Sequence, residues 1–505
     1  MVKTEKHYSA DMFEFVNMNT SIHDEKLKTK ARGYFADAFV RFKKNKSSVV
    51  AAFIIGFLVL FAIFAPFISP YTVNDKDNVY QKAPPFIREI ADLNIGILDG
   101  SVYFPSQNSK QLAAYYAIAA ETGYNPIIGE VGEKTIEEMK GGRPITVTKY
   151  SVKLNQYYMV GARTINISYD EYRRIQAWQD EHGIQVILPY VEGVTSNTAN
   201  NWYKTEGGEA VYDNDGNFIP LYSTNVDKAG PVPYTSMRVE GDDGSYIYSW
   251  DKSNAVACRV CYYNYYQYLN GREPAYVMGT DAYGRDLFDA IGTGARFSLI
   301  FAVLVSAINL TIGAIYGAIQ GYYGGVVDLA MDRVSDILSG VPSIVVMTLF
   351  KLHLADKMGI LPSVLFAFVL TGWIGMAALT RKQFYRFKSQ EYIMAARTLG
   401  ASDRRLMFKH IFPNSLGTMV TSCVLVIPGV ISSETSLTYL GIVNLSSVVG
   451  TSIGELMELG QKAMASAPHA MLFPALFISL LLISFNLFGN GLRDAFNPST
   501  RGVED

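Results

Sequence analysis

Charge is scarce in this 505-residue chain: Asp, Glu, Lys and Arg make up 18% of it, against roughly 25% in soluble proteins. The formal net charge is −2 at pH 7, which excludes a nucleic-acid binder working through bulk positive charge. Cysteine is scarcer still, and Cys258, Cys261 and Cys423 are too few for a scaffold built on disulfides. The 42 glycines and 19 prolines form no collagen-like or low-complexity repeat.

What the chain has instead is long apolar runs. A bilayer core about 30 Å thick takes about 20 apolar helical residues to cross, because no backbone amide can be left unpaired there. Residues 47–68, 297–327, 359–380, 414–433 and 470–492 meet that length without a charged residue. The first run is too long and too far from residue 1 for a signal peptide and is expected to stay in the mature protein.

A sixth stretch, residues 337–350, is short. Lys/Arg-rich short loops stay in the cytoplasm. Arg41, Lys43, Lys44 and Lys46 precede the first run, and Arg381, Lys382, Arg386, Lys388, Arg397, Arg404, Arg405 and Lys409 follow the 359–380 run. Both clusters belong on one side, so an even number of crossings must separate them, and the short stretch is expected to cross by extending back to Asp328. Asp328, Asp332 and Asp336 then share one helical face, read as a solvated cytosolic face or, alternatively, a gate or partner contact. The expected fold is an α-helical polytopic membrane protein of six transmembrane helices with both termini inside.

That topology places residues 75–275 outside, between the first and second spans. The segment holds 25 Asp/Glu, 18 Lys/Arg and 22 of the 33 tyrosines, enough for a domain. Its patterns are α+β. A helix is predicted over 109–121, closed by Gly123, with strands over 145–154, 156–167 and 184–190. A capping box at Ser168–Glu171 opens a helix that Gly183 stops. Residues 213–216 and 242–244 read as hairpin turns, since the calcium-loop Glu is missing. Cys258 and Cys261 are read as a structural disulfide or capped turn, with inert thiols or metal or redox chemistry as the alternatives; no second pair of zinc ligands stands nearby, and no metal site is assigned. The tyrosines of 262–268 fit an amphipathic helix covering the domain better than a stacking surface. No catalytic constellation appears in the segment.

Between the 359–380 and 414–433 runs, Glu391 opens a short helix, Ala395 and Ala396 keep it slim, and Gly400 ends it in a left-handed cap. Such a helix can enter a groove on another protein, its approach fixed by Arg397, Arg404 and Arg405. With Ala401 and the trailing Ile411-Phe-Pro-Asn414, this loop resembles the coupling loop of ABC importer permease subunits, in the oligopeptide/dipeptide/nickel branch. Gly279-Thr280-Asp281 and Gly284-Arg285-Asp286 resemble that branch's signature ahead of the second span. Residues 294–298, 321–325 and 491–498 resemble its later landmarks, and 41–46 its C-type subunit. Two departures stand out: the long insertion, and Tyr276-Val-Met278 in place of the usual His-containing lead-in.

The resemblance implies a type I importer permease. Its parts are a cytoplasmic segment (1–46), the first span (47–68), the inserted extracellular domain (75–275), an outer-surface signature segment (276–296), a core (297–492) with its coupling loop (381–413), and a cytoplasmic tail (493–505). It implies ATP-driven import of oligopeptides by alternating access, in a bacterial plasma membrane. The partners implied are a second permease, two ATP-binding subunits and a peptide-binding lipoprotein. The chain has no G-x-x-x-x-G-K-[ST] loop, so ATP and Mg belong to the partners, no cofactor is assigned to this chain, and it is not itself an enzyme. Asp281, Arg285 and Asp286 are expected to pair in a turn and short helix at the outer surface, as bracing or as a gating contact. Glu434 is read as an outer-edge carboxylate that meets a peptide amino terminus or caps the following helix. Within the family a dipeptide or metal-chelate permease is the rival; outside it, a membrane-anchored receptor acting through its ectodomain. The insertion is expected to contact or tether the binding protein.

Overall fold

The computed structural model describes residues 34–93, 95–189, 191, 194–221, 238–240, 242–244, 246–248 and 256–496. The expectations for residues 1–33 and for Asn497 and Pro498 lie outside these. A short helix α1 (Tyr34–Lys44) leads into α2 (Lys46–Ile68), whose N-cap Asn45 accepts a hydrogen bond from the Ser48 amide at 3.3 Å. Ala51, Leu58, Ala62 and Ala65 form the buried stripe of α2, while Phe53, Phe57, Phe64 and Phe67 are exposed, as a helix bordered by lipid requires.

The insertion follows. An antiparallel sheet of β1 (Ser101–Gln107), β2 (Ile127–Lys140) and β3 (Arg143–Asn155), with β3 central, packs near α3 (Ser109–Thr122). A second, two-stranded sheet pairs β4 (Ala162–Ile167) with β5 (Val256–Cys261), and carries α4 (Tyr169–His182) and α5 (Tyr262–Asn270). The helices end at Gly123 and Gly183, and Ser168 caps the Glu171 amide at 3.1 Å. Residues 213–216 form a turn in which Asp213 Oδ1 accepts from the Asp215 and Asn217 amides, and residues 242–244 also turn. Tyr80, Phe86, Tyr157, Tyr263 and Tyr266 make the aromatic core. α5 buries Tyr263 and Tyr266, so its tyrosines act chiefly as packing.

Several local expectations need correction. Residues 156–159 are a helical turn, because the Asn155 side chain accepts from the Tyr157 and Tyr158 amides and closes the strand early. Of the 184–190 stretch, the described residues 184–189 make only an isolated bridge from Ile187 to Val260; the carbonyl of the Gln179 side chain takes up the Val186 and Ile187 amides instead.

Cys258 and Cys261 are both free, which overturns the disulfide. Three residues apart on one strand, they point to opposite faces and enter separate apolar clusters. Burial pushes the thiols up, Cys258 to about 12 and Cys261 to about 11. The expected result is that maleimide at pH 7.5 leaves both unmodified until unfolding, with no mobility change on reduction; a reduction-sensitive shift would refute this. One of the two residues between them carries the structure: Arg259 pairs bidentately with Glu121 at 2.7 and 2.8 Å and donates to the Ala199 and Pro189 carbonyls. Glu121 lies on α3, far from Arg259 in sequence, so no local pattern marks the pair.

After the insertion come α6 (Leu287–Tyr323), α7 (Gly325–Ser339), α8 (Ser343–Met358), α9 (Ile360–Gly372) and α10 (Ile374–Lys388). They are followed by the short α11 (Glu391–Thr398), then α12 (Phe412–Tyr439), α13 (Ile453–Ala463) and α14 (His469–Phe496). Five helical stretches, Lys46–Ile68, Leu287–Tyr323, Ile360–Lys388, Asp403–Tyr439 and His469–Phe496, are long and apolar enough to cross a membrane. The sixth expected span is not straight: α7 and α8 meet at 75° across Gly340-Val341-Pro342, where proline removes an amide donor. A core built around Leu287, Val305, Ile431, Leu456 and Leu481 joins α6, α12, α13 and α14.

The aspartate face of α7 divides: Asp328 is buried in a helix tie, while the side chains of Asp332 and Asp336, 41% and 58% exposed, leave a solvated surface. Arg381 of α10 donates to Asp328 at 2.6 Å and Asp332 at 2.8 Å, and the Tyr385 hydroxyl donates to Asp328 at 2.6 Å. Asp336 pairs with Arg333 on its own helix.

Candidate functional site

The loop between α10 and α12 is built around four buried side chains, Ile393, Leu406, Met407 and Ile411. Ile393, one turn into α11, enters a cluster with Tyr322, Phe384, Leu406 and Ile411. Gly400, at φ +83°, closes the helix: its amide donates to the Arg397 carbonyl at 2.9 Å and the Ala401 amide to that of Ala396 at 3.0 Å. These two bonds define a Schellman turn, and they need a residue comfortable at positive φ.

Side chains lash the helix to the bundle. Arg397 donates to the Tyr322 hydroxyl at 3.2 Å, and that hydroxyl donates to Asp403 at 2.5 Å, so the last turn of α6 grips both sides of the loop. Asn414 at the head of α12 donates to the Tyr392 hydroxyl at 3.1 Å. Lys388 caps α6 through the Gly321 carbonyl at 3.0 Å, where a cation suits the helix C-terminus. Arg397 therefore anchors the helix to its own chain, and Arg397, Arg404 and Arg405 all stay exposed. Glu391 and Ala395 are exposed too, beside Tyr392, Met394 and Leu399, the last 88% exposed. These side chains leave apolar surface exposed on a firmly held helix.

The polar side chains of the Gly279–Asp286 segment are not on the surface, although Tyr283 among them is exposed. Asp281, Arg285, Asp286 and Thr280 are all buried. Asp281 accepts from the Tyr283 and Arg285 amides at 2.8 and 2.9 Å and from Arg285 Nε at 2.7 Å. Arg285 goes on to the Gly450 carbonyl at 3.4 Å and lies 3.6 Å from Glu455 of α13. Thr280 donates to the Tyr80 carbonyl, and its own carbonyl accepts from His469 of α14 at 3.2 Å. Asp286 does not join the pair with Arg285; it caps α6 at the Phe288 and Asp289 amides and accepts from Ser69 at 2.9 Å. That cap starts α6 at Leu287, well before the apolar run, so no separate short helix forms. Gly279 sits close to Ala83 and His469. Gly284 has φ +76°, and a Cβ there would strike the Asp77 backbone. The segment braces the end of α2, the base of the insertion, α6, α13 and α14.

Glu434 lies near the C-terminal end of α12 and is buried. It is 2% exposed within α12 and accepts from Ser298 of α6 at 2.8 Å and from Thr438 at 3.4 Å. Among the described residues no cation pairs with it. A carboxylate held by hydroxyls alone tolerates a neutral isostere far better than a buried cation. The expected result is that Glu434→Gln shifts the melting temperature of the detergent-solubilised protein by no more than a few degrees, whereas Glu434→Lys prevents stable folding. Loss of transport in Glu434→Gln at unchanged melting would return this carboxylate to the substrate path.

Residues 309–502 match the family described as binding-protein-dependent transport system inner membrane component, and residues 33–85 match the N-terminal TM domain of oligopeptide transport permease C. Neither match reaches residues 86–308. The oligopeptide transport system permease protein OppC of Bacillus subtilis is 39% identical over 44% of this chain and 72% of its own length. The dipeptide permease DppC of the same organism is 36% identical over 44% of this chain and 69% of itself. The glutathione permease GsiD of Pectobacterium atrosepticum is 30% identical over 51% and 81%. With its membrane-length helices and the matched segments on either side of the insertion, the chain belongs to the OppC/DppC family of peptide ABC-importer permeases.

Proposed function

We propose that this chain is the C-type permease subunit of an ATP-driven oligopeptide importer, working with a second permease, two ATP-binding subunits and a peptide-binding lipoprotein. The observation that carries the reading is α11: a short, slim helix with an exposed apolar ridge, tied by Ile393, Arg397 and Tyr392 to the ends of α6 and α12. An ATPase gripping that ridge moves those two helices with it. Nucleotide and Mg are bound by the partners, and the chain works by alternating access.

The basic clusters beside α2 and α10 support a cytoplasmic placement for α11 and both termini. The insertion then lies outside, on the face where the binding protein delivers peptide. The similarity to oligopeptide, dipeptide and glutathione permeases together supports peptides as the cargo class; oligopeptides are the reading offered. The test is affinity purification of the tagged chain from its native membrane. Co-purification of two ATPases and a second permease is expected. Recovery of the chain alone, with intact signalling through the insertion, would favour a receptor instead.

A further inference from the structure

On one face of α12, where a lipid-facing helix would carry Leu and Phe, small residues are exposed: Gly429, Ser432, Ser433 and Ser436. They wall a cavity of about 580 Å³ whose other sides come from α6, α8 and α9, and none of its lining residues is charged. One of them, Asn309 of α6, differs from the rest. It is 3% exposed, and its Oδ1 has no hydrogen-bond partner. The side chain lies against Gly372, where a Cβ would collide with the amide nitrogen, so the backbone makes room for it. A buried amide with unmet hydrogen-bonding capacity is costly to keep, and this one borders a space large enough for a ligand.

We propose that Asn309 contacts the main chain of the transported peptide in this cavity. The inference rests on the permease reading above and adds how the cargo is held. A peptide bond offers an N–H beside a C=O, and a primary amide can meet either one, because rotation about its last torsion exchanges oxygen and nitrogen. The hydroxyls of Ser343, Thr371 and Ser433 supply further neutral donors and acceptors. An uncharged wall neither traps nor repels acidic or basic side chains, so the contact reads the backbone and passes many sequences.

The test uses the complete transporter in proteoliposomes, with a photoreactive residue at Ser433 and three labelled tripeptides, Ala-Ala-Ala, Ala-Lys-Ala and Ala-Glu-Ala. The probe is expected to label peptide during uptake. Asn309→Leu, and independently Gly372→Ala, should slow uptake of all three by a similar factor of about 3 to 10, the worth of one neutral hydrogen bond. Labelling of the second permease alone, unchanged uptake, or a loss confined to one peptide charge would overturn the proposal while leaving the permease reading intact. Absence of uptake by the wild-type complex would overturn the permease reading, and this proposal with it.

Discussion

Gly400→Pro and Glu391→Lys should each cut ATP-driven peptide uptake by the assembled transporter at least about tenfold, equivalent to about 1.4 kcal/mol of lost coupling, while the chain still inserts and melts nearly normally. The two variants reach that result differently. Proline fixes φ near −65° and residue 400 sits at +83°, so the Schellman turn opens at a local cost of about 1–3 kcal/mol. α11 then loses its fixed angle to α12. Glu391 is exposed, and its local value is a first-turn carboxylate worth about 0.3–1 kcal/mol. Reversing that charge barely touches the fold, so a large loss of uptake can come only from what docks there. Continued ATP hydrolysis without uptake is the expected signature of uncoupling; normal uptake in both variants would deny α11 its role.

Asp281→Ala should be among the most destabilising alanine substitutions in the bundle. It takes from the Arg285 guanidinium, whose side chain is 4% exposed, its hydrogen-bonded carboxylate and leaves it only the Glu455 carboxylate at 3.6 Å; breaking a buried pair from one side costs about 3–5 kcal/mol. Replacing both partners, with Asp281→Leu and Arg285→Met together, should recover part of that loss because no buried charge is then orphaned by its neighbour. Glu455 keeps the recovery incomplete. Melting temperature in detergent and trypsin resistance measure it. An unchanged melt for Asp281→Ala with lost uptake would make the segment a contact for the binding protein instead of a brace.

These arguments show what kind of information a sequence of this type holds. The spans were readable because lipid permits few solutions to an unpaired backbone, and the helix ends at Gly123, Gly183 and Gly400 because caps are local. α11 was readable for the same reason: Glu391, Ala395, Ala396 and Gly400 lie within ten consecutive residues. Links between distant segments were not. Arg381 clamps two aspartates of α7, Arg259 closes on Glu121, and Tyr322 reaches Arg397 and Asp403, and in each case the partner is chosen by packing. Ile393 could have been suspected as the lone aliphatic residue in the first turn of a polar loop helix. β2 escaped notice because Glu130, Glu133, Glu137 and Glu138 stand exposed on a ribbon with little to bury, so no alternation was there to read.

The account's central claim is that α11 lies in the cytoplasm as the ATPase's handle. Leu399, 88% exposed on its ridge, is the place to probe it. In a Cys423→Ser background, Leu399→Cys should react with a membrane-impermeant maleimide in inside-out vesicles, stay silent in right-side-out cells, and be shielded when the ATP-binding subunits are present. Labelling from outside the cell, or equal labelling with and without those subunits, would contradict the account.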